Sequence, residues 1–113
     1  MSDKPLQEPS FLILTALAAG PKHGYAMLQE VERLSDGRVA LRPGTMYTAL
    51  DRMADEGLVE VDREEIVDAR LRRYYRITGA GAIRLAAEAD RLRSNATAAV
   101  RSLKLGGLGG VGS

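Results

Sequence analysis

The sequence predicts one small domain that is mainly α with a small antiparallel β-hairpin, followed by a long C-terminal helix. Apolar residues recur at steps of three and four over four separate stretches, which is the spacing of amphipathic helices. Between the third and fourth stretches the period changes to two over residues 58–62 and 70–78, with residues 66–69 as the tip of a hairpin. Hydrophobic residues make up 45% and charged residues 27% of the chain. These are ordinary globular values, so a packed domain is expected.

The composition excludes several classes of function. The chain has no cysteine and a single histidine, His23, so disulfides and thiolate zinc sites are excluded and a clustered metal site is not expected. Neither a nucleophile elbow nor a phosphate-binding glycine loop is present, and we expect no catalytic residues and no cofactor. No run approaches the ~18 apolar residues that span a bilayer, which favours a cytoplasmic protein without a membrane partner. The net charge of +1 does not by itself indicate nucleic-acid binding.

The N-terminal part begins with an expected flexible arm, residues 1–8. Ser10 is a plausible N-cap for a first helix that ends at Gly20-Pro21. This helix is apolar on most sides, so it must be nearly all buried. Burial against a second subunit and burial within its own domain are both consistent with the sequence.

Two more helices are predicted over residues 25–34 and 43–56. Pro43 suits a first helical turn, and Gly57 suits the residue just past a helix end. His23 and Gly24 precede the second helix, where free N–H groups and the helix dipole can hold a phosphate. His23 can equally be a turn residue with a local hydrogen bond.

The third helix has two different faces. Met46, Leu50 and Met53 form an apolar stripe. Thr45, Thr48 and Arg52 form a second stripe without a carboxylate, whose side chains can bond phosphates and base edges. A helix, a turn and then an exposed helix is the order of a helix-turn-helix motif. An ordinary amphipathic helix with a solvated face is the other interpretation.

In the hairpin, or wing, acidic residues lie on or after the first strand and basic residues on the second. This segregation of charge can be explained in two ways. Cross-strand ion pairs are one explanation. Arginines placed along a DNA backbone or in a minor groove are the other, with Arg70, Arg72 and Arg73 as the candidates. Tyr75 is interpreted as a core residue. The acidic residues on or after the first strand are Glu60, Asp62, Glu64 and Glu65, and the basic residues of the second are Arg70, Arg72, Arg73 and Arg76.

The last helix is predicted to begin after Thr78 and to carry a heptad seam. With ~25 residues it would span close to 40 Å, longer than so small a domain can cover. We therefore expect it to meet a second subunit, with folding back on its own domain as the alternative. The predicted organisation is a winged helix-turn-helix domain over residues 9–78, a dimerisation helix over 79–105 and a disordered glycine-rich tail over 106–113. The seam consists of Ala82, Leu85, Ala89, Leu92, Ala96, Ala99 and Leu103.

Four motifs in this order resemble the PadR family of bacterial transcriptional regulators. They are HGY at 23–25, PGTMYTALDRM at 43–53, EGLVE at 56–60 and RRYYRITGAG at 72–81. A single C-terminal helix is typical of the short class of this family. The resemblance implies a homodimer that binds a palindromic double-stranded DNA operator, represses transcription and is released by an effector. A winged-helix module that binds a protein, without specific DNA binding, is the alternative.

The resemblance also implies roles for particular residues. The implied DNA contacts are His23, Tyr25, Gly44, Thr45, Tyr47, Thr48, Arg52, Arg70, Arg72 and Arg73. The expected dimer interface comprises Phe11, Leu85, Ala89, Leu92, Ala96, Ala99 and Leu103. An effector site around Phe11, Thr15 and Leu92 is a further hypothesis. The chain has no tryptophan, whereas some family members use a tryptophan of the last helix to bind flat aromatic compounds.

Overall fold

The computed structural model describes residues 4–107 and confirms the mainly helical class with an antiparallel hairpin. The predictions for residues 1–3 of the arm and 108–113 of the tail lie outside the described residues. The elements in chain order are α1 (Glu8–Ala18), β1 (Lys22–His23), α2 (Gly24–Leu34), α3 (Pro43–Asp55), β2 (Val59–Val67), β3 (Arg70–Ile77) and α4 (Gly79–Leu105).

The core is built around α1, which lies between the other helices and the sheet. Ile13, Leu14 and Leu17 of α1 are buried together with apolar residues of α2, α3 and the sheet. The predicted N-cap was wrong, because α1 begins at Glu8 and Ser10 lies buried inside the helix. The proline at position 9 explains the earlier start, since proline fits a first turn, where no N–H partner is needed.

The sheet has three strands in the order β1-β3-β2, one more than the predicted hairpin. The added strand, β1, pairs Lys22 with Tyr75 and His23 with Tyr74. The first strand of the hairpin is also longer than predicted, and the tip is only the Asp68-Ala69 turn, with both residues at positive φ. This conformation matches a type I′ hairpin turn. As predicted, Tyr75 is buried in the core.

The junction of α3, β2 and α4 is fixed by caps. Gly57, at φ +77°, follows α3, and the Leu58 N–H donates to the Met53 carbonyl at 2.8 Å, the pattern of a Schellman cap. The Thr78 hydroxyl accepts from the Gly81 N–H at 3.0 Å and donates to the Gly57 carbonyl at 2.6 Å. One threonine therefore links the end of the third helix to the start of the last.

The two halves of α4 have different surroundings. Its first half packs on α1, and Leu85 is half-buried against the core of its own domain. From residue 90 to 107 every residue is exposed. The predicted seam is thus divided: Leu85 and Ala89 are half-buried, whereas Ala82 and every seam residue from Leu92 onward are exposed. Within residues 4–107, no helix is both long and apolar enough to cross a bilayer.

The described part of the N-terminal arm contacts this helix. Leu6 packs on the core, and Arg84 donates to the Lys4 carbonyl at 2.6 Å. Glu88 is 6% exposed and pairs with Arg91. The Arg91 hydrogen bond is the largest of the effects that lower the pKa of Glu88, and a hydrogen bond from the Leu6 backbone contributes. Residues 4–7 therefore lie along α4 as an attached strap.

Candidate nucleic-acid interface

The geometry of α3 follows from its four buried residues, Met46, Ala49, Leu50 and Met53. At about 100° per residue, these four define the inward direction of the helix. The opposite direction, toward solvent, falls on Gly44, Thr48, Asp51 and Asp55, all exposed. This corrects the predicted stripe: the outward face contains two carboxylates that sequence reasoning missed. Thr45 and Arg52 are exposed on its flank.

Arg52 is held on that flank by the first helix. Its Nη2 atom donates to the Ser10 hydroxyl at 3.2 Å. Gly44, Thr45, Thr48 and Arg52 share a shallow depression of about 420 Å³ with two residues that precede or begin α1. The structure thus brings together these four predicted contacts, and it places the guanidinium of Arg52 beside α1.

The remaining predicted contacts line a second groove. It has a volume of about 680 Å³ and lies between the start of α2, the ring of Tyr47 and the tip of the wing. Backbone N–H groups at a helix start and arginine side chains both favour an anion such as a phosphate. The predicted contacts in this groove are His23, Tyr25, Tyr47, Arg70, Arg72 and Arg73.

His23 is the N-cap of α2, so the predicted local hydrogen bond is present. Its Nδ1 atom accepts from the Ala26 N–H at 3.5 Å, and its ring lies edge-on to Tyr74 with centroids 5.3 Å apart. Burial lowers the pKa of His23, the Arg72 charge lowers it further, and Glu65 opposes both. The neutral ring that caps the helix through Nδ1 carries its proton on Nε2.

Tyr47 lies directly over the start of α2. A Cβ atom at Gly24 would come within 2.3 Å of the Tyr47 hydroxyl and 3.2 Å of the Met46 side chain. Only glycine fits at this position without moving the ring. The role of Gly24 was missed from the sequence, although the joint presence of the HGY and GTMY motifs was a signal for it.

The arginines of the wing divide into two groups: two of them form the cross-strand ion pairs of the first explanation, and two do not. Arg73 Nε lies 2.8 Å from Glu64, and Arg76 Nε lies 2.7 Å from Glu60. Arg70 and Arg72 make no ion pair with any residue of 4–107. The wing therefore offers two arginines that are free to meet an anion.

Arg63, on the first strand of the wing, was not among the predicted residues. Its guanidinium carbon lies 3.8 Å from the centroid of the Tyr74 ring, and its Nη1 atom is 3.2 Å from Asp62. The Tyr74 hydroxyl donates to Glu65 at 2.7 Å. Arg63 thus belongs to a network that stiffens the wing rather than to its free cations.

The residues of the effector hypothesis lie on two helices. Phe11 and Thr15 are half-buried on α1, where the Thr15 hydroxyl donates to the Phe11 carbonyl at 2.7 Å. Leu92 is 42% exposed on the bare half of α4. In the described part of the chain, no group of three or more His, Asp or Glu residues is placed to hold a metal ion.

The fold and this surface define a class of protein. The helices α2 and α3, the turn between them and the β2–β3 wing form a winged helix-turn-helix, a DNA-binding fold. Residues 13–87 match the family model described as the transcriptional regulator PadR-like family. The chain belongs to the PadR family of transcriptional regulators.

Individual relatives agree with this assignment. The transcriptional regulator Rv3488 of Mycobacterium tuberculosis is 39% identical over 69 residues, 61% of each chain. The transcriptional regulator YqjI of Escherichia coli is 31% identical over 58 residues, which are 51% of this chain and 28% of that protein. The matched part of the chain thus spans less than two thirds of the length of these relatives.

Solved structures share the fold. A PadR family transcription regulator of Clostridium difficile superposes with a TM-score of 0.72 at 23% identity, covering 86% of this chain and 99% of that one. Bacillus subtilis PadR in complex with operator DNA gives a TM-score of 0.62 at 21% identity, covering 70% of this chain and 45% of that one.

Proposed function

We propose that the chain is a homodimeric repressor of the PadR type, which binds a palindromic operator in the cytoplasm and is released by an effector. The observation that carries the DNA-binding part is the groove between α2, Tyr47 and the wing. There the start of a helix lies beside the exposed face of α3, together with Arg70 and Arg72, which form no ion pair with the described residues 4–107. This combination places anion-binding groups next to a helix that can enter a major groove.

Each part of the surface has a separate task in this proposal. The α3 helix lies in the major groove with Gly44, Thr45 and Thr48 toward the bases. Gly44 lets the backbone approach closely, since it has no side chain. Phosphates are bound by the start of α2 through His23 and Tyr25, and by the hydroxyl of Tyr47. Arg70 and Arg72 extend the contact along the flank.

The proposed dimer rests on the bare half of α4. An isolated helix exposed on all sides has no packing to stabilise it, and residues 90–107 are exposed throughout. Leu92, Ala96, Ala99 and Leu103 repeat at steps of three and four, so they can form a seam with the same helix of a second copy. A two-fold dimer of this kind would place two copies of α3 on successive major grooves of a palindromic site.

The test is fluorescence anisotropy of the full chain with a labelled fragment from upstream of its own gene and with an unrelated fragment. We expect a preference of roughly 10³-fold or more for the upstream fragment and strong weakening by salt. Replacing Arg70 and Arg72 by glutamine should reduce the slope of log affinity against log salt by about 0.9 for each phosphate that is no longer neutralised. Arg73→Gln is the matched control, because Arg73 is already paired with Glu64.

Two results would contradict the proposal. Equally weak binding to both fragments would show that the fragment upstream of the gene does not contain an operator. No binding even at low salt would favour a module that dimerises through α4 and binds a protein. Analytical ultracentrifugation tests the dimer separately: Leu92→Glu is expected to give monomers, and a monomeric wild-type chain at assay concentrations would refute this part.

A further inference from the structure

Asp51 occupies an unexpected position for an acidic residue. It lies on the outward face of α3, one helical turn after Thr48, and its side chain is exposed. It makes no hydrogen bond or ion pair with any side chain in residues 4–107. On the proposed DNA complex, this face is the one that enters the major groove.

We propose that Asp51 reads a cytosine, accepting a hydrogen bond from its N4 amino group in the major groove. The inference rests on the DNA-binding function proposed above. It makes Asp51 a specificity-determining residue and names the base that it recognises.

The chemistry of the groove selects this base. Phosphates form both walls of the groove, so a carboxylate pointing into it is repelled on every sequence unless a base edge offers a donor. Guanine N7 and O6 and thymine O4 are acceptors, which repel a carboxylate. Adenine offers its N6 amino group beside the N7 acceptor of its own ring, whereas cytosine offers its N4 amino group beside a C5–H and has no acceptor on its own major-groove edge. Cytosine is therefore the preferred partner.

The position of Asp51 on the helix also suits base contact. The Cα–Cβ bonds of a helix tilt toward its N-terminus, which is the end that reaches the base edges in helix-turn-helix proteins. The preceding residues on this face, Gly44 and Thr48, are small and leave space beside the carboxylate. Asp55 lies four residues further along the same face, about 6 Å farther from that end. It serves as a matched control.

The experiment selects binding sites from a DNA pool with a randomised half-site, using the full chain and the variants Asp51→Ala, Asp51→Asn and Asp55→Ala. Preferred sites are then compared by anisotropy with sites in which one base pair is changed. The wild type should prefer cytosine at one position of each half-site by roughly tenfold to a hundredfold. Asp51→Ala should lose that preference while binding unrelated DNA equally or more tightly. Asp51→Asn should shift the preference to adenine, whose N6 and N7 match an amide, and Asp55→Ala should keep the cytosine.

The outcomes separate this inference from the function on which it rests. A uniform gain in affinity for every sequence in Asp51→Ala, with the base preferences kept, would show that Asp51 only repels DNA and would overturn the inference. The inference would also be overturned if Asp55→Ala changed the preference at the cytosine position and Asp51→Ala did not. A wild-type chain without any sequence preference would overturn the proposed function itself, and this is seen before a variant is examined.

Discussion

Replacing Gly81 by alanine should destabilise the junction between β2 and α4. The added methyl carbon would lie 2.1 Å from the Leu58 carbonyl oxygen and 2.8 Å from Ile77 Cγ1. The carbonyl belongs to the backbone and cannot rotate away, so the start of α4 or of β2 must shift. Overpacking of this kind costs ~1–3 kcal/mol, and a backbone neighbour places the cost near the upper end. The helix propensity of alanine over glycine opposes it by up to ~1 kcal/mol.

Gly79→Ala is the matched control, because a Cβ atom at Gly79 meets nothing within 4 Å. Both glycines lie in the first turn of α4, so the propensity gain largely cancels when the two variants are compared. The free energy of unfolding of Gly81→Ala should then lie about 3 kcal/mol below that of Gly79→Ala. Urea titrations followed by circular dichroism, at one protein concentration for all variants, measure this difference. Equal midpoints would refute the reasoning.

Three other perturbations test the site and the strap. Gly24→Ala should change the melting temperature little but weaken operator binding several-fold, because its methyl group would lie 2.3 Å from the hydroxyl of the flexible Tyr47 side chain. In anisotropy measurements, Gly24→Ala should cause no further loss of affinity when Tyr47 is already replaced by phenylalanine, and additive losses would contradict the coupling. His23→Ala should lower the free energy of unfolding by ~1 kcal/mol because it removes the N-cap, whereas His23→Asn should lose less because asparagine retains a hydrogen-bond acceptor. Equal losses for the two variants in urea titrations would show that the cap adds nothing. The pKa of Glu88 is lowered from its ordinary 4.5, first by the Arg91 hydrogen bond, so the ionised carboxylate stabilises the fold above pH 4.5 and this stabilisation is lost as the pH falls below it. The melting temperatures of wild type and Glu88→Gln should therefore converge in acid, and a difference that does not depend on pH would refute an ionic origin.

Single residues that favour helix termini explain why the helix ends could be predicted. Pro43 begins α3, Gly57 follows its end, and Thr78 caps α4. In each case the signal is a single residue whose backbone or side-chain chemistry satisfies a helix terminus, independent of the rest of the fold. The one failed cap, Ser10, shows the limit of such signals. A serine predicts an N-cap only where the chain does not already form a helical turn, and Pro9 allows α1 to start before it.

The strands were less predictable because their pairing depends on distant residues. The strand β1 has two residues, and only its pairing with β3 defines it. In the hairpin, an irregularity between Val61 and Arg63 shifts the register. A regular ladder would place Arg63 opposite Arg73, whereas the bulge places Glu64 there. The ion pair that occupies Arg73 thus follows from one extra residue in the ladder, which alternation alone does not predict.

The structure brings the predicted contact residues together, whereas their arrangement could not be predicted from the sequence. Helical and strand spacing, with the family motifs, named the residues that the structure gathers in two depressions beside α3. The outward direction of α3 depends on which residues pack, and Ala49 is among them. Its burial turns the helix so that Asp51 faces outward and Arg52 lies beside α1. Such a rotation is set by tertiary contacts.

The ion pairs of the wing have a consequence for how such a regulator finds its site. Arg73 and Arg76 are neutralised by Glu64 and Glu60, and the whole chain carries a net charge of only +1. The field of the whole chain beyond a Debye length is therefore weak. In the proposed complex, attraction to DNA would come from the local cations of the wing and from the start of α2, so it would act at close range and weaken as salt is added.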